Sequence, residues 1–173
     1  MPDIIHEFFV NASPARVFEM FSTADGLNRW WTKEASGEPK LNAEFRLYFG
    51  PGYDWRAKVT RYVPGSEFEL QMTEAHVDWA KSCVGCRLTP EGEGKTRVLF
   101  YHNGWPEANE HWRVSCYCWV DVSAGPAAQR RARRARTVRK TPGCVASRSS
   151  NQNWRQMKGS AIIECYHLVW RRG

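Results

Sequence analysis

An α+β domain, one antiparallel β-sheet covered by helices on a single face, is what this sequence predicts. Three observations carry that expectation. Apolar and polar residues alternate with period two in stretch after stretch between residues 43 and 103. Turn signals separate those stretches at short intervals, and helix-type apolar spacing is confined to the segments before and after them.

The elements follow in order. "DIIHEFFV" (3–10) is rich in β-branched and aromatic residues and predicts a strand. "NASPARVFEMFST" predicts a helix with Ser13 as N-cap and Pro14 at its first position, and Val17, Met20 and Phe21 form one apolar stripe. "DGLNRWW" (25–31) predicts a second short helix capped by Asp25. "AEFRLYFG" then sets Phe45, Leu47 and Phe49 against Arg46 and Tyr48. "DWRAKVTRYV" sets Trp55, Ala57 and Val59 against Arg56, Lys58 and Thr60, and "EFELQMT" sets Phe68, Leu70 and Met72 against its glutamates and Gln71. "CVGCRLT" and "TRVLFYHN" complete the series, with turns at "GPGYD", "VPGSE" and "PEGEG". One apolar face per strand means a meander with one solvated side, and that apolar side needs a cover. "WPEANEHWRVSCYCWV" (105–120) is the candidate: Pro106 suits a first helical turn, and Trp112, Cys116 and Trp119 share a face, with His111 and Glu110 in solvent. "SAGP" (123–126) then breaks the helix.

Composition bounds the function classes. The 173 residues suffice for one domain with a real core, and an apolar share of 42% excludes a disordered chain. The formal charge of +7 is misleading. Residues 1–120 carry 13 Lys and Arg against 16 Asp and Glu (−3), whereas 121–173 carry 12 against 2 (+10). "MPDIIHEFFV" has no signal-peptide pattern and no apolar run reaches the length of a membrane span, so a cytoplasmic protein without a membrane span is expected. Cys83, Cys86, Cys116, Cys118, Cys144 and Cys165 are then expected as reduced thiols.

"GLNRWWT", "YFGPGYDWRAKVTRYVPGSEFEL" and "HNGWPEANEHW" resemble a known group, bacterial SRPBCC (START-like) proteins related to the heat-shock protein 90 ATPase activator homologues. The resemblance covers about residues 3–120. It implies the helix-grip fold: a curved antiparallel sheet of about six to seven strands, two short helices, and a C-terminal helix packed across the sheet over a cavity. Relatives use that cavity for lipids, polyketides or other hydrophobic molecules. In them the last helix runs on past the position of Val120; here the likeness stops at about Trp119–Val120.

The expected organisation is therefore a START-like domain over 1–122 and a basic, poorly ordered tail over 123–173. Residues 122–163 lack Asp and Glu altogether and show no helical or strand periodicity. Three readings stand open: a GC-rich gene read out of frame, a solvated tail, or an arm for nucleic acid through Arg130, Arg131, Arg133, Arg134, Arg136, Arg139 and Lys140. The composition of Arg, Ala, Ser, Gly and Pro without periodicity favours the first, and the lack of any aromatic residue in the tail before Trp154 counts against base stacking by an arm.

Candidate chemistry in the core is thin. His102 shares the parity of Val98 and Phe100, so it should point inward, where it is a candidate general base or a packed core histidine. Asp54 and Arg56 are expected to pair at the surface. Cys83 and Cys86 lie on opposite sides of their strand, and Cys116 and Cys118 diverge on their helix, so no metal site and no cofactor are expected. What remains is aromatic density: seven of nine tryptophans fall within residues 1–120. The predicted role is binding a hydrophobic small molecule, with Phe21, Trp30, Trp31, Phe49, Trp55, Met72, Phe100, His102, Trp105 and Trp112 as cavity candidates. A chaperone-associated module and a polyketide cyclase-like enzyme are the alternatives.

Overall fold

The computed structural model describes residues 1–123, with side chains through Trp119. The expected tail, its arginines and the readings placed on it lie outside the described residues.

Seven strands form one antiparallel sheet: β1 (Ile4–Val10), β2 (Glu34–Ser36), β3 (Glu44–Gly50), β4 (Tyr53–Val63), β5 (Glu67–Glu74), β6 (Cys83–Pro90) and β7 (Thr96–Asn103). The spatial order is β1-β7-β6-β5-β4-β3-β2, so the meander from β2 to β7 runs between neighbours and β1 returns beside β7. Helices α1 (Pro14–Ser22) and α2 (Ala24–Trp30) connect β1 to β2, and α3 (Glu110–Ser123) follows β7. Register shifts at Tyr48/Gly50, Arg56/Ala57 and Val59/Arg61 break the ladder along β3–β5 and bend it.

The alternation read from the sequence is the burial pattern of the sheet. Phe45, Leu47, Phe49, Trp55, Ala57, Val59, Phe68, Leu70 and Met72 are all buried, and their neighbours in the strands face outward. On that outer face Arg46 stands directly opposite Arg56 across β3 and β4. Like charges in register repel. Asp54 resolves the conflict by accepting from both, at 2.9 Å from Arg46 and 2.7 Å from Arg56. The expected Asp54–Arg56 pair is thus part of a larger network, in which Arg46 also donates to Glu34 at 3.1 Å. Hydrogen bonds from Arg46 first, then Arg56, hold the Asp54 carboxyl below its ordinary range.

Two helix boundaries differ from expectation. Ser13 caps α1, its hydroxyl accepting from the Arg16 N–H, but the cap of α2 is Thr23 rather than Asp25. The Thr23 hydroxyl accepts from the Gly26 N–H at 2.9 Å and donates to the Glu19 carbonyl at 2.8 Å, closing both helix ends at one corner. At the other end α3 begins at Glu110, not near Pro106. The Asn109 side-chain oxygen accepts from the Trp112 N–H at 2.9 Å, so the cap sits three residues beyond the proline. The buried face of the helix also differs from expectation. Its buried stripe is His111, Ser115, Cys118 and Trp119, while Trp112 and Cys116 are half-buried at its side. His111, expected in solvent, therefore faces the protein. Among the described residues no helix is long and apolar enough to cross a membrane.

Candidate functional site

Between the helices and the concave face of the sheet the aromatic residues divide into two groups. The first surrounds a niche walled by Phe21, Leu27, Trp30 and Trp31 from the helical side and by Phe68, Leu70, Val84, Gly85, Cys86 and Phe100 from strands β5, β6 and β7. The free space enclosed by the niche is about 10 Å³. That is space for about one water. Phe21 and Trp30 are half-buried and face each other at 5.0 Å, and the Trp30 indole N–H donates to the Met20 carbonyl at 2.9 Å. These two rings form the outer wall; the strand residues form a fixed inner one.

The second group is a packed aromatic cluster centred on Trp79, a residue that sequence reasoning passed over because "EAHVDWAKS" shows no periodicity. Trp79 is 1% exposed. Its ring lies 5.1 Å from Trp55, 4.3 Å from His102, 5.8 Å from Trp105 and 5.8 Å from Trp119. Of the ten cavity candidates, Phe21, Trp30, Trp31 and Phe100 line the niche. Trp55, His102 and Trp105 belong to the Trp79 cluster, and Phe49 bridges it to Trp31, at 5.0 Å from Trp55 and 5.6 Å from Trp31. Met72 is buried on β5, and Trp112 lies half-buried against the core. Trp119, on α3, joins the two groups by packing on Phe100 at 4.7 Å and Trp31 at 5.5 Å.

His102 points inward, as its parity predicts, and is completely buried. Both ring nitrogens are engaged. Trp119 Nε1–H donates to Nδ1 at 3.2 Å, which leaves the ring proton on Nε2, facing the Ser82 hydroxyl at 2.8 Å. That hydroxyl in turn donates to the Trp79 carbonyl at 2.7 Å. Every polar atom of this chain of hydrogen bonds is satisfied with the imidazole neutral. Burial first, then the proximity of His111, drives its pKa well below the ordinary value. The sign of the consequence follows. With the folded value depressed, the unfolded chain binds the extra proton first, so stability is full above about pH 6.5 and falls as the pH drops below it, by at most about 1.4 kcal/mol per pH unit from this residue. Burial lowers His6 and His76 in the same direction. Urea unfolding between pH 7.5 and 5.5 should show this loss in the native chain and a shallower one in His102→Gln; identical slopes would contradict it.

The cysteines on β6 are poor ligands and poor nucleophiles where they lie. Burial pushes the Cys83 thiol up to about 11 and the Cys86 thiol up to about 12. A different set of ligating groups meets at the rim of the Trp79 cluster: His76 and Asp78 from the β5–β6 connection, and His111 from the first turn of α3. His111 Nδ1 lies 2.8 Å from Asp78 Oδ2, and His76 Nδ1 lies 3.6 Å from the same oxygen. No sequence signal links these residues, since His111 is separated from Asp78 by 33 positions.

Comparison with known proteins adds the relationship. A family model described as "Activator of Hsp90 ATPase homolog 1-like protein" matches residues 11–117. Among solved structures, the Aha1 dimer from Colwellia psychrerythraea is 26% identical, with a TM-score of 0.61 over 70% of this chain and 90% of that one. BH1534 from Bacillus halodurans is 23% identical, with a TM-score of 0.57 over 71% and 91%. PFC0360w, an HSP90 activator from Plasmodium falciparum, is 18% identical, with a TM-score of 0.51 over 63% and 77%, a likeness of fold alone. No curated protein matches the sequence.

Proposed function

The chain belongs to the family of activator of Hsp90 ATPase homolog 1-like proteins, and from that premise we propose that its domain holds an apolar small molecule in the niche between α2 and the sheet. The observation that carries this reading is the lining: aromatic and aliphatic side chains on all sides, with two half-buried rings, Phe21 and Trp30, as the outer wall. Such a wall can swing outward at less cost than the sheet residues, which are fixed by ladder hydrogen bonds. At rest the niche has space for about one water, so a ligand of one or two fused rings enters only as that wall swings outward.

Naphthalene is a suitable probe. Bound at ten times its dissociation constant it would stabilise the native state by about 1.4 kcal/mol and raise the melting temperature by several degrees. Val84→Leu, which puts one more methylene into the niche, should abolish that rise while the unliganded melting temperature stays within a few degrees. A rise that persists in Val84→Leu, or no rise at all, counts against the niche.

The family match itself favours a second reading, a chaperone-associated module. Its test is separate: the ATPase rate of purified Hsp90 should increase on adding the chain, and Val84→Leu should leave that increase intact.

A further inference from the structure

We propose that His76, Asp78 and His111 form a binding site for a single divalent transition-metal ion of the zinc type, a site independent of the apolar niche. The three residues each present one ligating atom, and all three atoms lie within 4.8 Å of one another. Two imidazoles and one carboxylate are a donor set that zinc and its neighbours take, leaving a coordination position for water or another ligand.

The geometry is close to that of a loaded site. Ligand atoms about 2.1 Å from a tetrahedral ion stand roughly 3.4 Å from each other. His76 Nδ1 and Asp78 Oδ2 are already 3.6 Å apart. His76 Nδ1 accepts from the Asp78 backbone N–H at 3.3 Å, so it carries no proton, and an ion taking its lone pair displaces that long hydrogen bond. His111 Nδ1, at 2.8 Å from Oδ2, needs to retreat by roughly 0.6 Å to admit an ion. Its proton on that nitrogen would move to Nε2 as the metal takes its place.

The surroundings support the ligands as metal sites require. Asn109 donates from its side-chain nitrogen to the other carboxylate oxygen, Asp78 Oδ1, at 3.3 Å, while its oxygen caps α3. Trp105 stands against the His111 ring at 5.4 Å, nearly perpendicular, and limits its rotation. The Trp79 and Ala80 N–H groups both donate to the His76 carbonyl, at 2.8 and 2.9 Å, and fix the turn that puts His76 and Asp78 side by side. Side-chain exposures of 24% for His76, 18% for Asp78 and 10% for His111 leave an entry path while shielding most of the site.

The test uses the full chain, free of any histidine tag and stripped with a chelator, titrated with Zn²⁺ and with Co²⁺. One equivalent should bind, raise the melting temperature, and give Co²⁺ visible bands without an intense near-ultraviolet thiolate charge-transfer band. His76→Ala, His76→Gln and Asp78→Asn should each weaken binding by about tenfold or more. His76→Gln keeps an acceptor for the Asp78 N–H, so an unchanged metal-free melting temperature separates lost ligation from lost folding. His6→Gln should bind as the native chain does. Absence of stoichiometric binding, a thiolate band, or affinity unchanged in both His76 variants would overturn the site.

Discussion

Replacing Trp79 by alanine should cost about 3–5 kcal/mol of stability, the range for truncating a large aromatic in a core that cannot collapse. Four rings lean on the Trp79 indole: Trp55, His102, Trp105 and Trp119, all centred within 5.8 Å of it. They come from β4, β7, the loop before α3, and α3 itself, so no single element can move in to fill the void. His102 is further held by hydrogen bonds to Trp119 and facing Ser82. The backbone carbonyl of residue 79 still accepts from Ser82 in the variant. Urea unfolding should show a lower midpoint with an unchanged slope. A loss below about 1 kcal/mol would mean that the cluster is loosely packed.

Gly26→Ala should destabilise by about 2–4 kcal/mol although intrinsic propensity argues the other way. In a helix interior alanine is favoured over glycine by roughly 1 kcal/mol. Against that stands the corner between α1 and α2. A Cβ at residue 26 would lie 2.6 Å from the Met20 carbonyl oxygen and 2.7 Å from the Met20 Cα, and would also press on the Glu19 carbonyl. All three obstacles are backbone and cannot turn aside as a flexible side chain would. The helices must part instead, and that movement strains the Trp30 indole bond to Met20 and displaces Leu27, both of which wall the niche. Urea unfolding should give the loss directly, and naphthalene binding should weaken with it. An alanine variant more stable than the native chain would show that the corner yields easily.

The sheet was legible because its code is local. Alternation along "AEFRLYFG", "DWRAKVTRYV" and "EFELQMT" needs no knowledge of distant residues, and it assigned the inner face correctly, His102 included. The start of α3 was not legible. Pro106 and Asn109 are both acceptable helix openers in the sequence, and only the contacts of Trp105 with Trp79, His102 and His111 settle which of them caps. The same limit hid the metal-binding candidate. His76 and Asp78 stand in a connection without periodicity, and their partner His111 arrives on a helix 33 positions beyond Asp78. The aromatic count shows a third limit. It foresaw a ring-rich interior but could not separate rings that pack on one another, such as Trp55 and Trp105, from rings that wall a space, such as Trp30 and Trp31.

The most direct measurement is a ¹H–¹⁵N NMR titration of the full chain with naphthalene, following the indole N–H signals of all the tryptophans. The account predicts saturable shifts for Trp30 and Trp31, with the amides of Gly85 and Phe100, and little change at Trp55 and Trp79. Shifts absent from Trp30 and Trp31, or saturable shifts confined to other residues, would contradict it.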